Sequence, residues 1–170
     1  MINLIYRKPD KGFSIESVFN TVYNELSPQV DIKRTYMKYG RANLVSIIGN
    51  MNTARSSQTK INHVTGDVNY TILGLCDNNF NILTVHDLVL LESLDGWKRE
   101  VAKHIWLTLP LKKASYVTAI SQKTARELVE LVPEVGEKIQ VIHDPVALVF
   151  KYSPKPYLER WPRLLHIGTK

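Results

Sequence analysis

Cysteine is nearly missing from this sequence. It occurs once in 170 residues, at Cys76, so the chain can close no disulfide within itself and build no cysteine-based zinc site. That thiol is expected to pack as a small side chain, and such usage fits a reducing cytoplasm. Long apolar runs are missing too: nothing approaches the ~20 residues needed to span a bilayer. The opening Met1-Ile2-Asn3-Leu4-Ile5-Tyr6 is too short, and lacks the leading positive charges, for a secretory signal. Nowhere do His, Asp and Glu fall at a spacing that argues for a metal. Negative charge is in deficit, with 16 Asp and Glu against 22 Lys and Arg and a formal net charge of +6. Such an excess suits nucleic acid, an anionic membrane or phosphorylated ligands, and composition does not choose among them.

What is present describes an ordinary domain. Hydrophobic content of 44% and charged content of 22% are those of a soluble globular chain long enough to bury a real core, with no room for a second full domain. The central feature is residues 81–88, Asn-Ile-Leu-Thr-Val-His-Asp-Leu. Ile82, Leu83 and Val85 suit a strand covered on both faces, which leaves His86 and Asp87 at its carboxyl end. Ligands of open α/β sheets bind outside that end of the strands. The plainer reading is that His86 satisfies a backbone carbonyl while Asp87 caps a turn.

Around this strand the pattern alternates. Residues 2–6 read as a strand, and 7–13 as a loop holding Pro9 and Gly12. Ser14 can cap a helix whose Ile15, Val18, Phe19, Val22, Tyr23 and Leu26 share one face, stopped by Ser27-Pro28. A strand over 30–37 precedes Leu44, Val45, Ile47, Ile48 and Met51, again at helical spacing. Residues 60–65 form the next strand, and 68–75 fit either a short helix or a strand. Trp97, Val101, Ile105 and Leu109 lie four apart on a helix that ends near Pro110 or continues, kinked, to Lys113. A fifth strand over 116–120 leads to a helix capped by Ser121, and a sixth over 139–142 leads to His143-Asp144-Pro145.

Strands alternating with one-faced helices predict a Rossmann-like α/β domain over residues 1–146, a parallel sheet with helices burying their apolar faces on both sides. Residues 147–162, with Pro154, Pro156 and Pro162, read as a linker. Residues 163–170 begin another apolar strand, expected to be the first of a truncated second domain.

The order of the pieces resembles the amino-terminal half of a GT-B fold glycosyltransferase of the retaining family 4, or group 1, type. The resemblance lies in Ile61-Asn62-His63-Val64-Thr65-Gly66-Asp67-Val68-Asn69-Tyr70, Leu83-Thr84-Val85-His86-Asp87-Leu88, residues 112–121, Ile139-Gln140-Val141-Ile142-His143-Asp144-Pro145-Val146 and Leu164-Leu165-His166-Ile167-Gly168-Thr169. It implies metal-independent, cofactor-free transfer of a sugar from a nucleotide-sugar, a substrate, to a glycan or lipid-linked acceptor in surface polysaccharide or glycolipid synthesis. This half would hold the acceptor, and a carboxyl-terminal donor domain would bind the nucleotide. Nucleic acid is not an implied partner. The expected alternative is a non-catalytic half that holds glycan or pairs with a separate donor-binding chain, and a sugar-nucleotide epimerase shares the two-domain plan.

Residue by residue, His86 matches the family's histidine beside the transferred sugar, where imidazole can donate to a hydroxyl or a developing negative charge. Asp87 is the second catalytic candidate, either orienting His86 or accepting from an acceptor hydroxyl. Gly12 matches a phosphate-contacting glycine loop, although the family's paired glycines are reduced to one here; a plain turn glycine is the other reading. Gly66, Asp67, Asn69 and Tyr70 offer a carboxylate, an amide and a ring to an acceptor, or else form a Gly-Asp turn with a core tyrosine. Ser121 is an acceptor candidate whose capping role needs no ligand. His63 and His166 suit packing within strands. Trp97, Lys98, Arg99, Lys103, Trp106, Lys112 and Lys113 place aromatics and cations along residues 97–113, a stretch that could dock peripherally on the inner, anionic face of a membrane or form a solvated surface.

Overall fold

A computed structural model describes residues 1–9, 14–146 and 151–154. Strands β1 (Ile2–Tyr6), β2 (Ile32–Tyr36), β3 (Ile61–Val64), β4 (Phe80–Val85), β5 (Tyr116–Ala119) and β6 (Ile139–Val141) form one sheet in the order β2-β1-β3-β4-β5-β6. Every pairing is parallel, so each connection must cross over, and the crossovers are α1 (Ser14–Leu26), α2 (Leu44–Ser57), a 3₁₀ turn (Asn69–Gly74), α3 (Val89–Glu92), α4 (Gly96–Ala102), α5 (Leu109–Lys113) and α6 (Gln122–Leu131). The Rossmann-like α/β arrangement expected from the alternation is the one observed. Of the linker expected over 147–162 only 151–154 are described, with neither helix nor strand, and the second-domain strand expected over 163–170 lies outside the described residues.

Alternation along β1 divides the core in two. Leu4 and Tyr6 point to α1 and pack with Ile15 and Phe19. Ile5 points the other way, into a larger cluster with Val64, Leu83, Val85, Val117 and Ala119. Ser121 caps α6 as expected, its Oγ accepting from the Thr124 amide at 3.1 Å. Residues 68–75 resolve into the 3₁₀ turn. The helix through Pro110 does continue to Lys113, by way of a wide π-type turn over Lys103–Thr108. That turn is bonded five residues back, as in Leu109 N–H to His104 C=O, so the register has already loosened where proline has no N–H to give.

One expectation holds only in part. The spacing of Leu44, Val45, Ile47, Ile48 and Met51 predicts a helix with its apolar side inward; Ile47 and Met51 do pack against the core, but the buried residues of α2 are Ser46, Asn50 and Ala54, and Leu44, Val45 and Ile48 are exposed. The cause is Asn50, which is fully buried. Its Oδ1 accepts from the Tyr39 amide at 3.0 Å, and its Nδ2 donates to the Tyr39 carbonyl and to the Tyr70 hydroxyl, each at 2.8 Å. A buried amide with its partners in place holds its face inward, because leaving any of them unmade costs about 1–3 kcal/mol.

Register is fixed by a second polar device. Asn3, Asn62 and Asn81 are cross-strand neighbours on β1, β3 and β4, all buried. Asn62 Nδ2 donates to Asn81 Oδ1 at 3.0 Å, Asn81 Nδ2 to the Cys76 carbonyl at 2.9 Å, and Asn3 Nδ2 to the Ser57 carbonyl at 3.1 Å. A slip of one residue would turn all three amides to the other face and strand their partners.

On the α1 face, His63 Nε2 lies 2.7 Å from Thr84 Oγ1, itself 2.6 Å from Thr118 Oγ1, and Phe19 sits edge-on to the ring. Burial, reinforced by the nearby His86, pushes His63 down from 6.5 to about 4. Below 6.5 the unfolded chain takes up a proton that the folded one refuses, so stability is lost as pH falls towards 4, by on the order of 3 kcal/mol. His63→Gln is expected to flatten this loss. Thermal melts from pH 7 to 4 check it, and parallel slopes for parent and variant would clear His63 of the effect.

Candidate functional site

Connections leave β1 in one direction along the sheet and β3 in the other, and a crevice opens outside the carboxyl ends of the strands where such an order reverses. Arg7 and Lys8 follow β1, Thr65, Gly66 and Asp67 follow β3, and His86 and Asp87 follow β4, so the switch gathers these residues at one edge.

The imidazole of His86 is held on two sides. Its Nε2 lies 2.9 Å from the Thr65 carbonyl, and because a carbonyl only accepts, Nε2 carries the hydrogen. Beneath the ring is Gly66 at φ 129°, where an added Cβ would fall 2.6 Å from His86 Cδ2. Glycine is required there both by its φ and by the ring. Nδ1 remains, facing the Asp144 carboxylate at 3.7 Å, beyond hydrogen-bond length. From behind, Thr124 Oγ1 donates to the His86 carbonyl at 3.2 Å and also lies 2.9 Å from Ser121 Oγ. Ser121 thus acts on the site through its cap.

Asp87 is elsewhere engaged. Its Oδ1 accepts from the Val89 amide at 3.1 Å, closing the turn that precedes α3, and the carboxylate that faces His86 is Asp144. The plain bonds considered for His86 and Asp87 are therefore both made. What they leave over is one imidazole nitrogen directed at Asp144.

Arg7 joins the crevice to α1. It grips Glu16 with Nε and Nη2 at 2.6 and 2.9 Å, and its Nη1 pairs with Asp67. Burial works against the Glu16 charge, but the Arg7 hydrogen bonds outweigh it and hold the carboxyl below its usual range. Asp67 stands at φ 59°, a conformation that Asp tolerates, and Trp106 Nε1 donates to its carbonyl at 3.2 Å. The Trp106 ring meets Tyr70 edge-on at 4.8 Å. Tyr70 is buried, and burial raises its hydroxyl pKa even as the Asn50 bond opposes this. Asn69 is buried as well, and among the described residues its Oδ1 has no hydrogen-bond partner. It lines a cavity of about 60 Å³ with Asp67, His86, Asp87 and Trp106, roomy enough for a water or a ligand hydroxyl.

Beside this cavity lies a cleft of about 320 Å³, lined by Arg7, Lys8, Tyr39, Arg41, Tyr70 and Trp106 among others. Aromatic faces with guanidinium and ammonium groups suit a sugar ring bearing a phosphate or other anion. Of the sequence candidates, the structure brings together His86, Gly66, Asp67, Asn69 and Tyr70; Asp87 borders the small cavity, and Ser121 stands behind. Gly12 lies outside the described residues. Arg7, Glu16, Arg41, Trp106 and Asp144 were not singled out from sequence as site residues. A first-turn acid in α1 and a cation directly after β1 were the available signals for Glu16 and Arg7, and the His143-Asp144-Pro145 turn for Asp144.

No protein-family model matches this chain, and a search of curated proteins returns no match. Among the described residues no three His, Cys, Asp or Glu are grouped to hold a metal ion, and no helix is long and apolar enough to cross a membrane.

Gly66→Ala tests the geometry. Strain at positive φ plus the 2.6 Å overlap is expected to cost about 2–4 kcal/mol, or to displace the His86 ring. Gly136→Ala, whose Cβ would meet Val129 at an ordinary 3.7 Å, should melt close to the parent. Denaturant melts and imidazole NMR shifts read both effects; an unmoved His86 resonance at parental stability would contradict the packing described.

Proposed function

We propose that this domain is the acceptor-side face of a retaining, metal-independent glycosyltransferase that moves a sugar from a nucleotide-sugar to a glycan or lipid-linked acceptor. The observation that carries the reading is His86, pinned at the switch crevice through Nε2 with Nδ1 left over, beside a cleft of aromatic rings and cations.

In this reading the acceptor lies in the cleft, its ring against Tyr70 and Trp106. Asn69, which lines the small cavity beside the cleft, is the candidate neighbour for one of the acceptor's hydroxyls. Asp67, held by Arg7, accepts from a second hydroxyl. His86 acts through Nδ1, which when it carries a hydrogen donates to a sugar hydroxyl or to the charge developing on the departing group, beside the Asp144 carboxylate. Fixing the ring from the Nε2 side and from below means that little reorganisation is needed when that charge appears. The donor's nucleotide belongs to the other half of the cleft, and Gly12 is the candidate on this half for its phosphate.

The test is made on the polypeptide that carries this domain together with its donor-binding half, by following nucleoside diphosphate release and product formation from a panel of nucleotide-sugars. His86→Ala and His86→Asn should melt near the parent while kcat falls on the order of 10²–10³-fold, about 3–4 kcal/mol. Asp87→Asn should have a small effect, since an asparagine oxygen can accept the same Val89 amide. Full activity in His86→Ala, or inactivity caused by unfolding, would remove the reaction from this strand end. Glycan binding with no turnover by the parent would leave a non-catalytic binding half.

A further inference from the structure

The outward face of α2 forms a distinct surface. Leu44, Val45 and Ile48 are 71%, 75% and 50% exposed, and at i, i+1 and i+4 they share one side of the helix. Tyr39, 44% exposed, lies beside them with its ring against Gly49, so close that a Cβ there would come within 2.5 Å of the ring. Scattered apolar side chains on a surface are ordinary, but four gathered at one helix start are not. Cations adjoin them. Lys8, Lys38 and Arg41 line an open groove of about 640 Å³ together with Tyr39, Leu44 and Val45, and among the described residues no carboxylate lines it.

This surface is built rather than loose. Asn43 caps α2, its Oδ1 accepting from the Ser46 amide at 2.9 Å, and Asn50 ties the preceding loop to the helix through both backbone groups of Tyr39. The fold thus holds the apolar side chains outward at no gain to its own core.

We infer that this face docks on an anionic phospholipid bilayer. Leu44, Val45 and Ile48 enter the acyl boundary, while Lys8, Lys38 and Arg41 meet the lipid phosphates. Charge complementarity selects this occupant: a bilayer offers a sheet of phosphate directly above hydrocarbon, matching apolar tips beside cations on a groove wall without acids. Residues 97–113 fit less well, because Lys112 is paired with Glu134 at 2.6 Å, Lys113 with Asp77 at 2.9 Å, and Trp106 is turned onto Tyr70. The groove shares Lys8, Tyr39 and Arg41 with the cleft beside His86, so a lipid-borne acceptor could reach the cleft while still anchored. That consequence rests on the transferase reading; the docking itself does not.

Co-sedimentation of the full chain with vesicles tests it. The parent is expected to bind vesicles mixing phosphatidylglycerol with phosphatidylcholine, to ignore pure phosphatidylcholine, and to release as salt is raised. Both L44S/V45S/I48S and K8E/K38E/R41E should weaken binding at least about tenfold with melting near the parent, whereas K98E/R99E should bind unchanged. Because turnover is not measured, failure here leaves the transferase reading untouched. The inference is overturned if the parent does not bind, binds neutral vesicles equally well, or is weakened by K98E/R99E and not by the two triple variants. It is also overturned if light scattering finds a dimer that L44S/V45S/I48S dissolves, since the occupant would then be a second copy.

Discussion

The carboxamide of Asn50 is the point on which the upper rim of this domain depends. From the middle of α2 it binds the two backbone groups of Tyr39, in the loop after β2, and the hydroxyl of Tyr70, in the turn after β3. Two connections, from β2 to β3 and from β3 to β4, are thereby joined into one wall. Tyr70 supports Trp106, and Trp106 holds the carbonyl of Asp67, so the bonding continues from α2 to the crevice beside His86. Because a buried amide is costly to leave unpaired, the same residue decides which face of α2 turns inward.

Polar burial is the theme of the interior. At the amino ends of the strands the asparagine row of Asn3, Asn62 and Asn81 locks register, and on the α1 face His63, Thr84 and Thr118 form a short hydrogen-bonded line. Neither group faces a cleft wall described above, and each has its partners, so both are read as structural. At the carboxyl ends the accounting differs. Asn69 Oδ1 has no partner among the described residues, and His86 Nδ1 faces a carboxylate at 3.7 Å without a hydrogen bond. Unused hydrogen-bonding capacity is thus concentrated at the edge where the strand order reverses, as expected of an edge kept open for a ligand.

Positive charge divides in a similar way. Arg7 is drawn inward by Glu16 and Asp67 and serves to shape the crevice, and Lys138 donates to the Lys112 and Ala114 carbonyls at the end of α5. Lys8, Lys38 and Arg41 instead share a groove that, among the described residues, no acid lines, next to exposed apolar side chains. The net charge of +6 is therefore less informative than this partition, since only charge without a local partner is available to an anionic surface.

The sequence by itself determined the class of fold and the place of His86 at a strand end, because both follow from local pattern. Alternating apolar strands and one-faced helices require parallel crossovers, and His86 had to fall at a strand's carboxyl end wherever β4 lay in the sheet. The capping role of Ser121 was legible for the same reason, whereas the strand order that opens the crevice and the continuation of the helix past Pro110 were not. Tertiary structure alone decided the rest. The exact orientation of α2 could not be read from its apolar spacing, since the bonds that turn Asn50 inward come from Tyr39 and Tyr70, 11 and 20 residues away. Nor could the carboxylate facing His86 be read from its neighbour: Asp87 is adjacent in sequence but turned to bond the Val89 amide, whereas Asp144 arrives from beyond β6. Periodicity reports which residues share a side of one element; which side is buried, and which charges meet, depends on partners that only the folded chain brings within a few ångströms.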